Sequence, residues 1–157
     1  MQGDPVRRHH AARQDTLAVA LCVALIGPAD VALAEGDGEG FANTERMNEA
    51  VSRVRRNDFD DAGGARCAQD IGQPLQTCAA WVARSGAGTA AVRVSFPNGF
   101  SRILKFSGGV FVSANATMSG VGTDIDWRRE GDRLILRVED QRYELEGAFV
   151  FGRMDDP

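Results

Sequence analysis

The sequence predicts a mainly β protein: an antiparallel meander of about seven or eight short strands, closed as a barrel or folded as a sandwich and preceded by one short amphipathic helix. Three observations predict it. From Ala65 onward, apolar and polar residues alternate with period two. Gly-rich turns and one Pro97-Asn98-Gly99 turn recur between these runs, at intervals of roughly ten residues. Upstream, Met47, Ala50, Val51 and Val54 fall at i, i+3, i+4 and i+7, which is one stripe of a helix.

Each element has its own signal. Residues 1–34 carry the marks of a secretory leader. Arg7, Arg8 and Arg13 precede an apolar run over residues 16–26, Pro28 breaks it, and Ala32-Leu33-Ala34 offers a small-x-small cleavage site. The run falls short of the ~20 residues that span a bilayer. Leu21 stands before Cys22, where lipidation needs a small residue. Residues 35–41 are Gly and acid rich and read as a flexible lead. Asn43 caps a helix over about 44–56, with Arg53, Arg55 and Arg56 in a last turn that favours positive charge. Residues 57–64 read as a hinge-like linker, so the β domain is expected over 65–152, with 153–157 as a tail.

Within that domain, 66–69 and 78–84 are expected as strands carrying Cys67 and Cys78. Val92, Val94 and Phe96 alternate with Ala91, Arg93 and Ser95, and the chain returns over 100–106. There Phe100, Leu104 and Phe106 share a face on which Arg102 is an exception. A strand over 110–113 and a long loop over 114–123 follow. Ile125, Trp127 and Arg129 then alternate with Asp124, Asp126 and Arg128. Leu134, Leu136 and Val138 form the clearest apolar face, Tyr143 and Leu145 share the next, and 148–151 reads as a buried closing strand.

Composition narrows the chemistry. The chain has 157 residues, 18 basic and 22 acidic, for a net charge of −4. A phosphate-binding protein needs a clustered positive excess, so no nucleic-acid partner is expected. Loss of the leader removes three acids and three bases, which leaves the charge unchanged. It also removes His9 and His10, the only two histidines. A Ser-His-Asp or Cys-His arrangement and a His-ligated zinc site then cannot form. Cys67 and Cys78 remain, an even count in an exported chain, and are expected to form a disulfide worth about 3 kcal/mol by loop entropy.

Other constellations have bland readings beside sharp ones. Asp124 and Asp126 share a strand face and could serve as paired carboxylates, but Arg128 and Arg133 are near enough to pair with them. Asp58, Asp60 and Asp61 lack the further ligands of a calcium loop. Asn115-Ala116-Thr117 matches a glycosylation acceptor. Trp81, Trp127 and Tyr143 have apolar neighbours and read mainly as core.

The run Cys67-Ala68-Gln69, Gly72-Gln73-Pro74-Leu75, Cys78 and Val82-Ala83-Arg84, with Arg142-Tyr143-Glu144 and Phe149-Val150-Phe151-Gly152, resembles a group of small exported bacterial β-domain proteins of unknown function. The resemblance implies a compact secreted β domain and brings no catalytic residue. This chain departs from the group at Ala80-Trp81.

The expectation is therefore a non-enzymatic periplasmic or secreted domain that binds a protein or envelope component. It meets the membrane only transiently, through the leader. The expected contact surface is Ser119, Gly120 and Val121 at the loop tip, with Trp127, Arg128 and Arg129, because loops on rigid scaffolds commonly carry binding. No catalytic residue, metal or cofactor is expected. The alternatives are an inhibitor of a secreted hydrolase such as lysozyme, or a hydrolase using Asp124 or Asp126. Oligomeric state, and docking of the helix on the β domain, stay open at this point.

Overall fold

A computed structural model describes residues 37–116 and 124–153. The expected leader and the tip residues Ser119, Gly120 and Val121 lie outside the described residues. In chain order the elements are α1 (Asp37–Arg55), β1 (Asp61–Ala68), β2 (Gln76–Arg84), β3 (Ala90–Ser95), β4 (Ser101–Ser107), β5 (Val110–Ala114), β6 (Ile125–Glu130), β7 (Arg133–Val138), β8 (Gln141–Glu146) and α2 (Gly147–Phe151).

The eight strands make one sheet in the order β5-β4-β3-β2-β1-β8-β7-β6, with every neighbouring pair antiparallel. Because β1 pairs with both β2 and β8, the meander curls into a nearly closed barrel. Its two terminal strands are β5 and β6, and among the described residues no backbone ladder joins them. We call this side the seam. The alternation seen in sequence sets the two faces. Val82, Val92, Leu104, Phe106, Leu136 and Val138 fill the interior, all essentially inaccessible to water.

Cys67 and Cys78 stand at disulfide distance on the interior face, Cα to Cα 6.0 Å. The ladder places Cys67 opposite Gln76 and Ala65 opposite Cys78, so the link runs diagonally between β1 and β2. Such a pair is consistent with an oxidising, exported environment.

The helix stripe docks on its own domain. Ala50 and Val54 are fully buried against Ala83, Ala91 and Ile103 on the outside of β2, β3 and β4, with Val51 and Phe59 at the margin. Alanines on both sides let the helix approach the sheet closely. At the end of α1, Arg53 reaches Asp58 at 2.9 Å and Asp60 at 2.6 Å. Asp60 also accepts the Arg84 backbone N–H at 2.6 Å. Arg93 lies over the rings of Phe59 and Trp81, 4.7 and 4.9 Å from their centroids.

Three expectations need correction. The helix begins at Asp37, not at Thr44 behind an Asn43 cap, so the supposed flexible lead is partly helical. Docking of the later turns favours extension through the glycines, although their propensity is poor. The linker 57–64 holds the start of β1, because Asp61 to Gly64 ladder onto Val82 to Ala79. The bare Cα of Gly63 leaves room for the Phe149 ring, which would lie 3.2 Å from a Cβ there. Finally, 148–151 is not a strand but most of α2, a single turn that plugs one barrel end. The carboxylate of Asp132 accepts Ala148 N–H, its carbonyl accepts Gly147 N–H, and Arg84 donates to the carbonyls of Phe149 and Val150. Four apolar residues cannot distinguish strand from helix by periodicity; these long-range partners decide it.

Candidate functional site

The expected contact residues that are described all lie on β6, which forms one bank of the seam. Trp127 and Ile125 are half-buried and pack against the interior cluster. Arg128 points to solvent and pairs with Glu130 at 2.8 Å. Arg129 turns toward the α2 end, donating to Gly131 carbonyl at 3.0 Å and facing Asp132 at 3.3 Å. It lines an open cleft of about 540 Å³ with Gly88, Gly109, Phe151 and Arg153. The three residues thus share a strand but not a face.

At the opposite barrel end a polar cluster sits inside the wall. Arg102 of β4 is fully buried and reaches Glu139, in the turn between β7 and β8, at 3.1 Å. Among the described residues its Nε and Nη1 have no hydrogen-bond partner. Nearby, the buried Tyr143 hydroxyl donates to Gln141 Oε1 at 2.6 Å. Desolvation raises the Tyr143 phenol above its ordinary pKa, an effect that the positive Arg102 opposes. Phe96 packs 5.7 Å from Tyr143 and 5.9 Å from Phe100. The sequence carried a signal for this cluster: Arg102 interrupts an otherwise apolar face.

The roots of the β5–β6 connection are pinned beside this cluster. Asn115 N–H donates to Ile103 carbonyl at 2.9 Å, and Ile103 N–H donates back to Asn115 Oδ1 at 2.6 Å. The amide of the possible glycosylation acceptor is therefore engaged with backbone. On the other bank, Glu139 N–H donates to Asp124 carbonyl at 2.8 Å.

The remaining carboxylates are mostly spoken for. Asp124 makes a two-point contact with Arg137 at 2.8 and 2.9 Å, and the guanidinium holds its carboxyl below the usual range. Its side chain is 71% exposed. A strongly ionised carboxylate on the outer surface suits neither a general acid nor a shielded nucleophile. Asp58 and Asp60 are held low by Arg53 in the same way, and no metal-holding group occurs among the described residues.

The chain matches no known protein family, no curated protein and no solved structure. Its capabilities are therefore read from the seam, its two banks and the polar cluster beneath them.

Proposed function

We propose that this protein is an exported, non-enzymatic binding domain that uses the β6 side of its barrel to hold a protein or envelope component. One observation carries the reading: β6 ends the sheet without a second ladder partner among the described residues, yet it bears a half-buried Trp127 and an outward Arg128. An unpaired strand edge with an amphipathic aromatic is a ready contact surface. The leader-like residues 1–34, the resemblance to small exported β-domain proteins and the paired cysteines support a periplasmic or secreted setting.

The test compares immobilised wild-type protein with a Trp127→Ala/Arg128→Glu variant in cell-envelope extract. The expected result is a component retained by wild type and lost from the variant, with unchanged circular dichroism. Equal retention by both, or none by either, would overturn the proposal.

A further inference from the structure

Burying a guanidinium costs several kcal/mol unless its donors are met. Arg102 sits in the barrel wall where an aliphatic residue would be expected: its ladder partner is Val94, and Leu104 lies two residues on. It is fully buried. Its Nη2 donates to Glu139 at 3.1 Å, while Nε and Nη1 donate to nothing among the described residues. An apolar residue of similar volume would serve packing at least as well, so stability does not explain an arginine here.

The surroundings do. Tyr143 lies close enough to feel the Arg102 charge, with Gln141 hydrogen-bonded to it and Phe96 packed on its ring. Beside it lie the two strands that end the sheet, with Ala114 on β5 and the half-buried Ile125 and Trp127 on β6, joined by no ladder among the described residues. Asp124, which accepts the N–H of Arg102's partner Glu139, immediately precedes Ile125. A buried cation thus adjoins a line of incompletely covered apolar side chains.

We infer that Arg102 receives the head of a carboxylate-bearing amphiphile whose apolar tail lies along the seam against Ile125 and Trp127. The inference rests on the binding-domain reading and names the ligand class for that seam. A carboxylate presents two acceptor oxygens to the guanidinium fork and satisfies donors that water does not reach. The tail completes the burial of side chains that the open sheet leaves half covered. Entry is between β5 and β6, which no ladder hydrogen bonds join among the described residues.

The test is calorimetric titration of the purified protein with laurate and, as its uncharged counterpart, dodecan-1-ol, both below their aggregation limits. Wild type is expected to bind laurate about tenfold or more tightly than dodecanol, since hydrogen bonds to a charged group are worth roughly 1.5–3 kcal/mol. Arg102→Met, which keeps the volume, should reduce laurate to the dodecanol level and leave dodecanol unchanged. Trp127→Ala should weaken both equally. No laurate binding, equal affinity for the two probes in wild type, or a preference that survives in Arg102→Met would overturn the inference. The wild-type comparison needs no variant and stands if Arg102→Met folds poorly. Trp127-dependent capture from envelope without laurate binding would overturn this ligand and leave the binding-domain reading in place.

Discussion

Arg102 Nη2 and Glu139 Oε2 meet at 3.1 Å and join β4 to the turn after β7. In the sheet these strands are separated by β3-β2-β1-β8 on one side and by β5, the seam and β6 on the other. The pair therefore links the strands behind the two banks, where the backbone ladder does not. Its members differ in setting: the arginine is fully buried, whereas the Glu139 side chain is 35% exposed.

That asymmetry predicts unequal mutational effects. Glu139→Gln leaves a buried cation without its counter-charge and should destabilise by about 3 kcal/mol. Arg102→Met leaves only a partly solvated carboxylate and should be neutral or mildly stabilising. Chemical denaturation of the two single variants checks this. Equal losses would show that Arg102 is held for stability after all.

The cysteine pair makes a second prediction. With a sequence separation of 11, the link constrains a short loop of the unfolded chain. The Cys67→Ala/Cys78→Ala variant should lose about 3 kcal/mol. Reductant should lower the melting temperature of wild type and leave the variant unchanged. Insensitivity of wild type to strong reductant would show that the cysteines are not linked.

The fold class, the strand count, the helix stripe and the cysteine pair were legible because each is a local periodic or spacing signal. The faces of Leu134, Leu136 and Val138, or of Ala50 and Val54, needed no knowledge of distant partners. The misread segments depend on such partners. Asp61 to Gly64 have poor strand propensity and are extended because β2 supplies a ladder. Residues 148–151 turn into a helix because Asp132 and Arg84 satisfy its ends. Arg102 was visible as an anomaly, but its meaning lay in Glu139 and the seam, 37 residues away along the chain.

The clamp at the end of α1 predicts acid sensitivity. Hydrogen bonds from Arg53 lower the carboxyls of Asp58 and Asp60 below their ordinary 3.8. Folding is then linked to their ionised forms. The stability they contribute is full above that ordinary value and is lost as pH falls through the lowered folded values. Asp60→Asn should cost about 1–2 kcal/mol at neutral pH, mainly through the Arg53 and Arg84 hydrogen bonds. The gap between wild type and variant should narrow in melts carried below pH 4. A gap that widens on acidification would contradict the linkage.

Gly147 supplies a prediction in which two local effects oppose one another. Its backbone is not in the left-handed region, and it opens α2, so alanine should gain up to about 1 kcal/mol from helix propensity. A Cβ there, however, would lie 2.6 Å from Asp132 Oδ1 and 3.2 Å from Arg129 Nη2. Asp132 cannot simply retreat, because its carbonyl and carboxylate hold the first two N–H groups of the plug and its Oδ1 faces Arg129. Losing one or two of these bonds outweighs the propensity gain, so Gly147→Ala should destabilise by about 1–2 kcal/mol. The cause can be isolated by a double-mutant cycle. In an Asp132→Ala background the carboxylate at 2.6 Å is gone and the 132 backbone carbonyl, 3.1 Å away, still crowds the site, so the cost of Gly147→Ala should shrink. If the alanine costs as much there as in wild type, the Asp132 carboxylate is not what requires a glycine at 147.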